Sequence, residues 1–145
     1  MSGLIAVKRH GAPVVHSDGF TSPKGWFRLA GHDDGVVDIE FGPGSVEAAQ
    51  ALIATYHAWL AKMPPGQSVH MVCDVASVDR APLRVRMMVG KWLLGERKRL
   101  GRVAVSGAGL FQMTIVTAVL RVARIGAIRF FMTRDDAIDW IGLPD

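Results

Sequence analysis

Apolar positions beyond residue 25 recur with enough regularity to assign elements. Val37, Ile39 and Phe41 alternate with Asp38 and Glu40, the period of a strand with one buried and one wet face. Residues 26–30 are strand-like as well, and His32-Asp33-Asp34-Gly35 between the two runs reads as a hairpin turn, since Asp and Gly accept the backbone conformations that tight turns need. Gly42-Pro43-Gly44 breaks the second strand, and Ser45 is placed to cap a helix running to about Lys62. Leu52, Tyr56, Trp59, Leu60 and Met63 recur along it at three- and four-residue spacing, the stripe of a helix packed on a core. Pro64-Pro65-Gly66 ends it.

Residues 69–73 form a continuous apolar strand apart from His70, closing at Asp74. Pro82 suits the first position of a second helix, 82–99. A short strand at 103–105, a third helix at 110–124 and a last strand at 128–132 follow, and Thr133 caps a closing helix through Ile141 with Asp135 and Asp136 in its first turn. Residues 1–25 carry Gly11, Pro13, Gly19, Pro23 and Gly25, so they read as a partly irregular arm with a short strand at 4–8. The order is ββαβαβαβα: an α/β domain over 26–145 with a mostly parallel sheet, right-handed crossovers and an N-terminal antiparallel hairpin.

At 145 residues, half of them hydrophobic, the chain is long enough for one domain with a real core. No apolar run reaches the ~20 residues of a membrane-spanning helix; the longest, 110–125, is broken by Gln112, Thr114, Thr117, Arg121 and Arg124. The first ten residues do not read as a secretory signal. A single cysteine excludes an internal disulfide and suits a reducing compartment, so the expected location is cytoplasmic, with a peripheral membrane position open.

Charge changes the picture. Twelve of the 17 basic residues lie between Arg80 and Arg134, where Glu96 is the only acid. The formal charge is −3 over residues 1–79, +11 over 80–134 and −4 over 135–145. Such polarity concerns partners rather than fold. It points to an anionic counterpart: a second copy of the chain or an acidic protein, a lipid or anionic membrane surface, with nucleic acid the least favoured.

Three local patterns resemble the STAS fold and, within it, the SpoIIAA-like (STAS/CRAL-TRIO-like) small bacterial proteins. The strand His70-Met71-Val72-Cys73-Asp74 is followed by Val75-Ala76-Ser77-Val78-Asp79. Arg102-Val103-Ala104-Val105-Ser106-Gly107 looks like the strand after the long helix. Ile128-Arg129-Phe130-Phe131, then Asp135-Asp136-Ala137-Ile138-Asp139-Trp140-Ile141, is similar to the closing strand and helix. The resemblance covers about residues 26–142 and implies a non-enzymatic module for protein contact or, through the CRAL-TRIO connection, for apolar ligands. STAS antagonists of anti-sigma factors carry a phosphorylatable Ser after the second Asp. Here that turn is Asp79-Arg80-Ala81-Pro82, which has no hydroxyl to accept the charge of a phosphoswitch; an anti-sigma antagonist role is correspondingly disfavoured.

Two helices carry the functional expectation. On 82–99, Val85, Met88, Val89, Trp92, Leu93 and Leu100 share the arc that should face the sheet, while Arg84, Arg86, Lys91, Arg97 and Lys98 occupy the opposite arc with Leu83, Met87 and Leu94 among them. Cations mixed with exposed apolar side chains suit an interfacial helix; a solvated face whose long side chains cover apolar surface is the plainer reading. Helix 110–125 is apolar almost all round, with only Thr114, Thr117, Arg121 and Arg124 forming a polar stripe. That width implies contact on two sides, from a neighbouring helix, a second subunit or a ligand. The expected interaction surface is therefore Arg84, Arg86, Met87, Lys91, Leu94, Lys98, Phe111, Ile115, Arg121 and Arg124, self-association through it being the first expectation and lipid or membrane binding the second.

No catalytic motif, metal site or cofactor is expected. His32, Asp33 and Asp34 are adjacent turn residues that converge poorly on one ion. His57 and His70 read as structural, and Cys73 as a buried apolar filler. Asp74 is a weak ligand candidate because ligands of open α/β sheets bind at the carboxyl ends of parallel strands. Gly107-Ala108-Gly109 lacks the residues that complete a phosphate loop.

Overall fold

The computed structural model describes residues 12–125 and 127–142. One six-stranded sheet has the order β1 (Val14–Ser22), β2 (Gly25–His32), β3 (Val36–Phe41), β4 (Val69–Asp74), β5 (Leu100–Ser106), β6 (Ile128–Phe131). The first three strands are antiparallel and the remaining pairings parallel. Helices α1 (Val46–Leu60), α2 (Leu83–Glu96) and α3 (Leu110–Ala123) are the crossovers, and α4 (Arg134–Ile141) closes the described chain. The expected α/β class, hairpin and parallel half are all present.

The first correction concerns the arm. Residues 14–25 belong to the sheet: β1 pairs along β2, Ser22 opposite Gly25, so the domain begins well before residue 26 and the element order starts with three strands. The strand expected at 4–8 lies outside the described residues. Gly35, at φ +91°, closes the β2–β3 hairpin where the sequence placed it, a backbone conformation that a side chain would strain.

Sequence signals fix the ends of the helices. Ser45 Oγ accepts the Ala48 amide at 3.1 Å, and Thr133 Oγ1 accepts that of Asp136 at 3.2 Å. Each bond satisfies an amide that a helix N-terminus leaves without a partner. Pro82 serves as the N-cap of α2. That helix stops at Glu96, short of the expected 99, and Arg97, Lys98 and Arg99 form the turn into β5. Glu96 lies on the apolar arc because its carboxylate accepts from the buried Tyr56 hydroxyl at 3.0 Å.

The sheet separates two cores. On one face Phe27, Leu29, Val37, Ile39, Met71 and Val103 pack with residues of α1, α2 and α3; on the other Val36, Val72 and Ala104 pack with Ala137, Ile138 and Ile141 of α4. The second layer corrects the expected wet face of β3. Asp38 is 7 % exposed and pairs with Arg134 at the start of α4. It also divides the basic segment, which is not a single face. Arg102 and Arg129 lie over the Trp140 ring, and Arg102 donates to the Trp140 carbonyl at 2.6 Å. Those two and Arg134 therefore belong to the α4 side, away from α2 and α3.

Candidate functional site

Helices α2 and α3 meet closely at Gly90, where an added Cβ would lie 2.6 Å from Val122 Cβ. They pack on each other more than on the strands beneath. The space left under them is a cavity of about 120 Å³. Met71, Cys73 and Val105 lie on its sheet side, and Val89, Ile115 and Val116 on its helix side. Its surface is wholly apolar.

Two polar side chains stand at its rim. Arg86 Nε donates to the Ala81 carbonyl at 2.6 Å, which fixes the stem of the side chain. Gln112 bridges two elements, its Nε2 donating to Val78 O at 3.0 Å and its Oε1 accepting from Gly109 N at 3.0 Å. Arg86 also lines an open groove along α3 with Thr114, Thr117 and Arg121. The Arg86 side chain therefore borders both spaces. Trp92, on the cavity wall, keeps its indole N–H buried without an acceptor.

The expected surface residues separate into three groups. Arg84, Met87, Lys91 and Lys98 are exposed along α2 and its C-terminal turn, with Leu94 half-buried beside them. Phe111 and Arg121 are exposed on α3, and exposed Arg124 ends that helix in a left-handed conformation, φ 55°. Arg86 is half-buried at the cavity rim. Ile115 is a correction: it is 6 % exposed and faces the cavity, so it belongs to no outer surface. Among the described residues no carboxylate pairs with Arg84, Arg86, Lys91, Lys98 or Arg121. Leu83 and Leu110, at the first turns of α2 and α3, are 68 % and 93 % exposed. Leu83 was expected among the cations on the outward arc of its helix, whereas the exposure of Leu110 was not foreseen. Their position directly after Pro82 and Gly109 was the signal, since a side chain in a first turn overhangs the helix end.

Asp74 does not assemble a site. Its Oδ1 accepts the Ala76 amide at 3.0 Å in an ordinary turn. His70 Nδ1 accepts the Arg102 amide at 2.8 Å, and His32 Nδ1 lies 2.7 Å from the Ala12 carbonyl oxygen. Among the described residues there is no group of three His, Cys, Asp or Glu side chains able to hold a metal. Burial, with smaller contributions from the charges of Asp38 and Asp74, pushes the Cys73 thiol up to about 12; it is protonated and inert at neutral pH. Burial and then the Glu96 charge push the Tyr56 phenol above its usual range. On the sheet's other face a polar pocket is lined by Asp18 and by two ion pairs, Arg28 with Glu40 and Arg134 with Asp38.

The solved structure of an uncharacterized protein of the DUF3478 family from Shewanella loihica PV-4, described as having a SpoIIAA-like fold, aligns with this chain at TM-score 0.58. The identity is 19 %, and the alignment covers 86 % of this chain and 90 % of that one. The chain therefore has a SpoIIAA-like fold, the one its local patterns resembled. No family model and no curated protein matches the sequence.

Proposed function

We propose that this is a non-enzymatic module that works by contact through the α2–α3 face, and that the counterpart is an anionic lipid surface. One observation carries the reading: large apolar side chains stand exposed at the first turns of two neighbouring helices, beside cations that no carboxylate among the described residues neutralises. Leu83, Met87, Leu110 and Phe111 supply the apolar part, and Arg84, Lys91, Lys98 and Arg121 the charge. Both first turns lack acidic residues, so the partial positive charge of each helix N-terminus adds to the attraction. Shallow insertion of apolar tips inside a basic collar is how interfacial helices hold to membranes. Among the described residues no helix is long and apolar enough to cross one.

Self-association through the same face is opposed by its charge. A two-fold pair would place each cation patch against its own copy. Pairing the patch with exposed Asp135, Asp136 and Asp139 of α4 joins opposite faces of the sheet, a head-to-tail contact that propagates unless it closes into a ring.

Vesicle flotation tests the proposal. The protein should float with vesicles containing anionic lipid and not with neutral ones, and high salt should release it. At ~1 kcal/mol for each basic residue near the surface, the Arg84→Gln/Lys91→Gln/Lys98→Gln variant should bind more than 100-fold more weakly. Equal recovery with neutral and anionic vesicles would end the reading. Sedimentation showing a closed oligomer in place of membrane binding would return the face to self-association.

A further inference from the structure

We infer that the space beneath α2 and α3 is a binding site for an amphipathic organic anion. The apolar tail occupies the cavity and the anionic head lies in the groove between Arg86 and Arg121. This goes beyond contact with a membrane and stands or falls separately from it.

Three observations converge on that ligand. The cavity, about 120 Å³ with no polar surface, is a poor place for water, which needs two to four polar partners to stay. An engineered apolar cavity of ~150 Å³ stays dry and takes up benzene, so the inner part of the ligand is a tail of about six carbons. Next, Arg86 is common to the walls of the cavity and the outer groove. Its Nε is held by the Ala81 carbonyl, which leaves the two terminal nitrogens of the guanidinium for a head group, and among the described residues no carboxylate pairs with them. A guanidinium recognises carboxylate and phosphate through paired N–H donors. Finally, the groove brings a second cation, Arg121, and Thr117 to the same place, while the Thr114 hydroxyl is taken up by the Leu110 carbonyl at 3.2 Å. Charge, donors and an apolar recess thus lie in sequence from outside to inside.

The test is a titration of the whole chain, without any bilayer, with sodium octanoate, octyl phosphate, 1-octanol and sodium acetate, followed by calorimetry and by methyl resonances. Octanoate or octyl phosphate should bind saturably and at least tenfold more tightly than acetate. They should shift the methyls of Ile115, Val116 and Val119 while leaving Ile138 and Ile141, on the other face of the sheet, unmoved. Arg86→Gln should weaken the octyl anions at least tenfold and leave 1-octanol unchanged. Val116→Phe, which fills the cavity, should abolish binding of all three octyl compounds. Preference for octanoate marks a free acid as the natural head and preference for octyl phosphate a lipid phosphate; either ranking supports the site. Octanoate binding no better than acetate, methyl shifts spread over both faces, or equal affinity in the Arg86→Gln protein would overturn it. The methyl measurement uses the unaltered protein, so a Val116→Phe chain that fails to fold leaves the proposal open to refutation. Because no vesicle enters the titration, its failure is distinct from a failure of membrane contact.

Discussion

Adding a single methyl group at Gly90 tests how α2 and α3 are held together. An alanine Cβ there would sit 2.6 Å from Val122 Cβ, 2.8 Å from Val122 Cγ1 and 3.2 Å from the Val119 carbonyl oxygen. Overpacking of this kind costs about 1–3 kcal/mol, while alanine inside a helix gains about 1 kcal/mol over glycine. Gly90→Ala should therefore destabilise by about 1 kcal/mol, lowering Tm by roughly 4 °C for a chain of this length. Val122 is half-buried, so Val122→Ala alone should also cost about 1 kcal/mol. In the double variant the alanine at 122 keeps the Cβ that lies 2.6 Å from the added methyl and loses the Cγ1 at 2.8 Å, so the clash is eased and not removed, and the loss should stay near ~1 kcal/mol. Independent effects would give a loss of about 2 kcal/mol; the expected coupling is about 1 kcal/mol in the opposite sense. Urea unfolding of all four proteins, followed by far-ultraviolet circular dichroism, measures it. Additivity within ~0.5 kcal/mol would show that the two helices are not in limiting contact at Gly90, and the roof of the cavity would need another explanation.

Two further outcomes follow from buried groups. Because the Cys73 thiol is pushed up to about 12 from an ordinary value of about 9, the folded state holds its proton more tightly than the unfolded chain. The associated stability is complete below pH 9 and is lost as pH rises toward 12, at no more than ~1.4 kcal/mol per pH unit. Unfolding measured between pH 8 and 11 should fall less steeply in Cys73→Ala than in the parent, and parallel curves would contradict the assignment. Tyr56→Phe removes the donor to the Glu96 carboxylate and should cost about 1.5–3 kcal/mol, the range for hydrogen bonds to charged groups. A second change, Glu96→Gln, should add little once Tyr56 is gone, and fully additive losses would mean that the pair does not interact.

The elements that were legible in the sequence each carried a local signal. Ser45 and Thr133 announce their helices through the hydroxyl that caps them, and Gly35 announces its turn by the conformation it adopts. Strand β1 had no such signal. It is an edge strand with most of its side chains in solvent, so nothing selects alternation, and its aromatic anchor, Phe20 stacked on Phe27 at 6.5 Å, stands alone between Asp18-Gly19 and Thr21-Ser22. Asp38 misled for a different reason. Alternation reports that the two faces differ but not what covers the second one, and Arg134 lies 96 residues away. The split of the basic segment has the same origin: Arg102 and Arg129 meet Trp140 on the α4 side of the sheet, a contact that charge counting cannot register. In the candidate site, cations and exposed apolar residues followed from helical periodicity. The cavity did not, because a void is a shortfall of volume between layers, and Ile115 reads as an apolar residue whether it meets a side chain or empty space.

The strand order has a consequence for where this chain can hold a small molecule. Each crossover advances one strand in the same direction, from β3 to β6, with α1, α2 and α3 all on one side. Sheets that bind cofactors at their carboxyl edge do so at a topological switch point, where neighbouring connections diverge to opposite sides and leave a crevice. Among the described parallel strands no such reversal occurs, so Asp74 and Ser106 stand side by side with no cleft built between them. Room for a guest in this architecture lies between its layers, beneath α2 and α3, and not at the seam of the sheet.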